Sequence, residues 1–184
     1  MTVVPETSYC RAAQGHDLHG PYHDEEYGFP VRDDDVLFER LCLEINQAGL
    51  SWLTILKKRQ GMRDAYDGFS VARVAGYGET DTARLLADAR IIRNRLKVNA
   101  AIYNAGKILE IQRSHGSFAE WLDAHHPMPK GDWVRIFKKA FRFTGGAITG
   151  EFLMSVGYLP GAHHEACPVH ARILALDPPW ARSA

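Results

Sequence analysis

No stretch of this 184-residue chain approaches the roughly 20 consecutive apolar residues a helix needs to cross a bilayer. The opening residues, MTVVPETSYC, lack the charged and apolar regions of a signal peptide, so a cytoplasmic location is the expectation. Cysteine is scarce. Cys10, Cys42 and Cys167 are too few for a disulfide framework, which leaves metal ligation or burial as the use of each. Net charge is absent too, with 22 Lys and Arg against 22 Asp and Glu. Bulk charge alone therefore does not hold this chain to nucleic acid, although a basic face opposite an acidic one remains open. No segment alternates convincingly between apolar and polar residues, and there is no internal repeat or low-complexity tract. The expected fold class is all-α, with residues 1–184 as one domain or two helical lobes sharing a core.

What is present is helical periodicity broken by cap and turn residues. Residues 5–32, rich in Gly, Pro, His and Asp, read as irregular but ordered. Asp33 or Asp34 caps an amphipathic helix to Ala48, with Leu37, Leu41, Glu44 and Ala48 on one face. Gly49 breaks it, and Ser51 restarts a helix from Trp52 to about Ala65. Short helices are predicted over Val71–Ala75 and Thr80–Ala89. A long one ends at Gly116, with Leu96, Ala100, Tyr103, Ile108 and Ile111 as its apolar positions. Ser117 caps FAEWLDAHH, Asp132–Ala140 forms another helix, AFRFTGG a tight turn, and AITGEFLMSVG the helix after it. A last short helix lies in the tail.

Three features carry chemistry. Glu44 sits on the shoulder of an apolar stripe, where a carboxylate is costly unless paired or used. It either pairs with an Arg or serves as a pocket carboxylate near Trp52. Cations cluster at Lys57–Arg59 with Arg63, at Arg90–Lys97 and at Arg135–Arg142. The first two read as solvated faces, while the third leads into Arg142, Gly145 and Gly146, where exposed N–H groups at a helix start suit a phosphate. His163-x-x-x-Cys167 places two metal-capable groups one turn apart on a helix. With Cys10 and His23 they make a closed Cys2His2 site of the structural zinc kind, in competition with His16, His19, His164 and His170. Cys42 reads as a small core residue.

Tyr22-His-Asp-Glu-Glu-Tyr-Gly28, Glu44-x-x-Gln-Ala-Gly-Leu-Ser-Trp52, Leu56-Lys-Lys-Arg59 and Ile91-Ile-Arg-Asn-x-x-Lys97 resemble motifs of the bacterial 3-methyladenine DNA glycosylase I family. The resemblance runs from Cys10 to about Cys167. It implies an all-α enzyme of the helix–hairpin–helix glycosylase superfamily and one structural zinc on Cys10, His23, His163 and Cys167. It also implies a base pocket built on Glu44, Tyr22 and Trp52, with Tyr27 where the family has Trp. A further family aromatic falls on Ala12, so a less aromatic pocket is expected. The catalytic Asp of many superfamily members is absent from this family, and this chain has no Asp between Asp132 and Asp177.

The implied activity is hydrolytic release of 3-methyladenine from double-stranded alkylated DNA by a monomer, without strand cleavage. Glu44 would stabilise the cationic base, with Tyr22 and Trp52 sandwiching it. Two rivals remain at the level of sequence. A zinc-stapled module that only binds damaged DNA gains nothing from Glu44 on an apolar face. A zinc hydrolase needs an open metal position, which a closed four-ligand site lacks.

Overall fold

The computed structural model describes residues 3–182. Eleven α-helices and two short 3-10 turns make up the regular structure of the described residues, with no strand among them. The all-α expectation holds.

Helix α3 (Asp34–Gln47) is the axis. Asp33 starts it by accepting a hydrogen bond from the Val36 N–H at 3.0 Å. Asp34 looks the other way, accepting from the N–H groups of Phe118 and Ala119 and so seating α8 (Phe118–His125) against α3. Every residue from Leu37 to Asn46 is buried. Leu37, Phe38, Leu41, Leu43 and Ile45 are at most 1% exposed, each contributing roughly 1.5–3 kcal/mol. The sequence reading of an amphipathic helix is thus corrected: from Leu37 to Asn46 α3 is enclosed all round, and the exposed positions lie at its ends, Asp35 in the first turn and Ala48 past the last residue. It is enclosed because α4 (Trp52–Ala65), α7 (Arg95–His115), α8 and α10 (Gly146–Ser155) all pack on it.

Glycine and lysine shape the exit from α3. Gly49 takes φ +81°, a left-handed conformation that stops the helix without strain. Lys97, buried on α7, donates from Nζ to the carbonyls of Asn46 at 2.8 Å and Ala48 at 2.7 Å. A cation on the last carbonyls complements the negative end of the helix. Ser51 then caps α4 on the Thr54 N–H, which brings Trp52 back beside α3.

Three further expectations are corrected. Residues 5–32 carry two helices, α1 (Tyr9–Ala12) and α2 (His19–Glu25), rather than an irregular segment: Ser8 caps the first, and the second buries Tyr22 and His23. Leu96 (69% exposed) and Tyr103 (36%) lie on the outer side of α7, while Val98, Ala101, Asn104 and Ala105 turn inward. The stretch from His163 to Cys167 is not helical; Cys167 is the N-cap of α11 (Pro168–Leu174). Helix α9 (Lys130–Ala140) begins two residues before its expected start, and α10 follows a turn of residues 141–145.

Candidate active site and metal cluster

A cavity of about 370 Å³ opens between α2, α3, the start of α4 and α10, lined by Tyr9, Tyr22, Tyr27, Glu44, Gln47, Trp52 and Glu151. Glu44 is 5% exposed, and no hydrogen bond to it accompanies that burial. Burial, then the charge of Glu151, raises its carboxyl from 4.5 to about 8, against the opposing pull of Arg40. Among the described residues Glu44 thus has no arginine partner, and Arg40 instead pairs with Glu26.

Aromatic rings form the walls. Tyr22 and Trp52 have centroids 5.0 Å apart at 57°. A base held between two rings needs two van der Waals separations, about 7 Å. The pair therefore forms two adjoining walls in this structure rather than an open slot. Tyr27 lies 5.7 Å from Tyr22 and donates a hydrogen bond to Glu151 at 3.3 Å. Tyr9 meets Tyr27 edge to face at 5.5 Å. Burial raises the phenols of Tyr9, Tyr22 and Tyr27, which keeps all three protonated as donors. The Tyr22 hydroxyl, 3% exposed as a residue, has no partner among the described residues.

Ala12 is exposed and forms no part of this wall. A further aromatic of the wall is Tyr9, one residue before Cys10 and invisible to a motif that starts at the cysteine. Behind Tyr22 lies a buried ion network. Glu26 accepts from Arg40 and twice from Arg59 at 2.7 Å, while Glu39 accepts from Arg59 and Arg63. The Arg40 guanidinium sits 4.9 Å from the Tyr22 ring. The Lys57–Arg59 cluster is therefore only partly a solvated face, since Arg59 is buried.

Cys10, His23, His163 and Cys167 come together as the family resemblance implies, all buried, with ligand atoms within 4.8 Å of one another. His16, His19, His164 and His170 are not in this group. The Cys10 and Cys167 Sγ atoms lie 3.8 and 3.9 Å from His163 Nδ1, and Cys167 Sγ lies 3.8 Å from His23 Nε2. These match the edges of a tetrahedron with metal–ligand bonds of about 2.0–2.3 Å. The outward nitrogens are already used: His23 Nδ1 is 2.6 Å from an Asp24 carboxylate oxygen and His163 Nε2 is 2.6 Å from the Tyr27 carbonyl. Those acceptors hold the rings with lone pairs inward, as metal-bound histidines require. Gly28 lets the two segments meet. At φ +83°, an added Cβ would sit 2.8 Å from Ala162 and 3.3 Å from His163. The group can hold a metal ion. A larger hollow of about 720 Å³ beside it has no aromatic wall.

The turn between α9 and α10 is pinned by Asn104, fully buried, which accepts from the Arg142 N–H at 2.8 Å and donates to the Arg142 carbonyl at 3.1 Å. The Arg142 guanidinium lies 3.9 Å over the Tyr103 ring. Gly145 is the N-cap of α10 without a side-chain cap, and Gly145 and Gly146 line a groove with Glu44, Leu50 and Glu151. Of the candidates named in sequence, Glu44, Tyr22, Tyr27, Trp52, Gly145 and Gly146 thus line two adjoining hollows, while Arg142 lines a separate one with Phe143 and Thr144. Tyr9, Asn104 and Glu151 were missed; their positions depend on chain crossings that leave no local signal.

The sequence profile of the methyladenine glycosylase family matches residues 12–132. The DNA-3-methyladenine glycosylase 1 of Escherichia coli K12 is 44% identical, over 76% of this chain and 85% of that protein. The chain belongs to the methyladenine glycosylase family. The DNA-3-methyladenine glycosylase of Haemophilus influenzae is 30% identical over 88% of this chain and 97% of its own length. Among solved structures, a 3-methyladenine DNA glycosylase I in complex with 3-methyladenine superposes with TM-score 0.80 at 29% identity, covering 88% of this chain and 96% of the other. The Staphylococcus aureus 3-methyladenine DNA glycosylase I gives 0.80 at 28% identity over 90% and 97%. This member of the family is an enzyme with the family's all-helical fold.

Proposed function

We propose that this glycosylase flips N3-methylated adenine out of double-stranded DNA and releases it by hydrolysis, leaving an abasic site. The observation that carries the reading is Glu44: a carboxyl group buried without a protein hydrogen bond, on the wall of an aromatic cavity large enough for a base. A base inside a duplex is out of reach, so the nucleotide must be extruded into such a pocket.

Methylation at N3 makes the base cationic and weakens its bond to the sugar. In the free pocket Glu44 keeps its proton to about 8. A cationic ring compensates the buried carboxylate and draws the proton off; neutral adenine offers no such compensation. Selectivity for the damaged base thus comes from the same burial that makes the empty pocket costly. Tyr22 and Trp52 supply adjoining aromatic faces, adding cation–π attraction of roughly 0.5–2 kcal/mol. Tyr9 and Tyr27 complete the wall. When the glycosidic bond breaks, its electron pair returns to the ring and the base leaves neutral, while water adds to the sugar carbon. No lysine lines the cavity, so no Schiff base forms and the strand is not cut.

The turn at Arg142, Gly145 and Gly146 grips a DNA phosphate in the manner of a helix–hairpin–helix, through uncapped N–H groups at the start of α10. The four-residue cluster holds one structural zinc. Its two thiols and two inward imidazole nitrogens suit that ion, and it ties the N-terminal segment to α11. His23 follows Tyr22 in α2, so fixing the imidazole restrains the neighbouring phenol. The deciding experiment is chromatography of bases released from methylated DNA. Release of 3-methyladenine is the expected result, and release of no base at all overturns the reading.

A further inference from the structure

Glu151 has no counterpart in the sequence-based account of the site, and its place in the fold is distinctive. It projects from α10 at the junction of two hollows. One is the aromatic cavity; the other is the groove, about 540 Å³, that runs to Gly145 and Gly146. Among the described residues only Glu44, Gln47 and Glu151 line both. Glu44 lies at the buried side, 5% exposed, whereas Glu151 is exposed at the mouth. Among the described residues Glu151 joins no ion pair, and its side chain is held by one hydrogen bond, from the Tyr27 hydroxyl at 3.3 Å.

This placement matters once the base and phosphate positions of the proposed function, on which the inference rests, are adopted. With the ring in the aromatic cavity and a phosphate at the N–H groups of Gly145 and Gly146, the sugar joining them must cross the junction. That is where Glu151 stands, with solvent at hand. We propose that Glu151 is a second catalytic carboxylate, lying against the sugar of the flipped nucleotide. It stabilises positive charge at the anomeric carbon as the glycosidic bond breaks, and it takes a proton from the attacking water. The bond between sugar carbon and ring nitrogen opens with its electron pair going to the base. The water oxygen bonds to the carbon, and its proton passes to the Glu151 carboxylate and then to solvent. Tyr27 is a positioning residue for that carboxylate, because its hydroxyl fixes one oxygen from the aromatic side. The two glutamates divide the work by burial: Glu44 serves the base, and Glu151 serves the sugar and the water.

The test compares Glu151→Gln with Glu44→Gln and the unaltered protein. Three quantities are measured: single-turnover release of 3-methyladenine from methylated duplex, calorimetric affinity for free 3-methyladenine, and affinity for abasic-site DNA. Glu151 is exposed, and a melting curve checks that the variant folds. Glu151→Gln is expected to slow release by at least about tenfold, in the lower range for a lost acid–base group, while both affinities stay unchanged. A normal release rate overturns the proposal. An equal fall in rate and in free-base affinity also overturns it, because the carboxylate then acts on the base. Slow release in Glu44→Gln beside a normal rate in Glu151→Gln removes this inference and leaves the proposed function standing. Absence of release by the unaltered protein removes the function itself and this inference with it.

Discussion

His23 Nε2 and His163 Nδ1 face each other at 3.1 Å, while the other nitrogen of each ring is committed to an oxygen that can only accept. With the outward nitrogens so engaged, the inward pair and the two neighbouring thiols form a group that can hold a metal ion.

Purified protein is therefore expected to carry one zinc per chain by elemental analysis. Removing it with a chelator, or replacing Cys167 by Ser, should lower the melting temperature, because the metal ties α2 to the segment before α11. Metal-free protein that melts like the untreated sample would refute the structural role.

Glu44→Gln separates charge from shape. A charge-assisted hydrogen bond is worth roughly 1.5–3 kcal/mol against about 1 for a neutral one, so release of 3-methyladenine should slow by about ten- to hundredfold. Affinity for DNA already lacking the base should hardly change. Rates equal to those of the unaltered protein, with the fold intact, would return Glu44 to the status of an ordinary helix carboxylate.

The raised carboxyl of Glu44 also fixes two pH dependences. The folded chain holds this proton to about 8, while an unfolded glutamate releases it near 4.5. Its contribution to folding is full below about 4.5 and is lost as the pH rises to about 8. Glu44→Gln should melt higher than the parent at alkaline pH, by a margin that closes towards pH about 4.5. The lowered carboxyls of Glu26 and Glu39, which arginine hydrogen bonds and charges hold down against burial, are shared by both proteins and cancel from the comparison. In activity, kcat/KM should rise through an ionisation near 8 and lose that limb in the variant. Glu151, Arg40 and the phenols of Tyr9, Tyr22 and Tyr27 surround this group. The phenols, raised by burial, titrate well above that range.

Tyr9 lines the aromatic cavity and Ala12 does not. Tyr9→Ala should weaken binding of free 3-methyladenine by about 1 kcal/mol, the size of a lost aromatic pair. Ala12→Trp should do nothing, since that side chain is exposed. Calorimetric titration of both variants checks the pair, and a gain of affinity in Ala12→Trp would put the missing wall back at position 12.

Asn104 holds the turn before α10 from a fully buried position. Asn104→Ala leaves the Arg142 N–H and carbonyl without this partner and should cost about 1–3 kcal/mol of stability. Affinity for abasic-site DNA should fall with it, with little dependence on sequence. Arg142→Glu should leave stability intact but weaken DNA binding and flatten its salt dependence. Unchanged affinity in both variants would show that phosphate is gripped elsewhere.

Local chemistry in the sequence determined the helices and their ends. Asp33, Ser51, Asn94 and Ser117 cap wherever a polar side chain precedes an apolar period, and Gly49 and Gly116 stop helices by accepting positive φ. Helical spacing nominated Glu44 with Trp52 nearby, while the family resemblance nominated Tyr22 and singled out the four metal-capable residues from their competitors. What spacing could not settle was which neighbour each side chain would meet. Tertiary packing enclosed α3 on every side and left Glu44 without the arginine its own helix offered, since Glu26 arrives from α2 to claim Arg40. Packing also brought Tyr9 round to the cavity wall and set Glu151 at its mouth, from segments more than a hundred residues apart in the chain. Caps and periods act over a few residues and are written locally. A pocket is made where distant segments cross, and the energy that decides those crossings lies in the whole core.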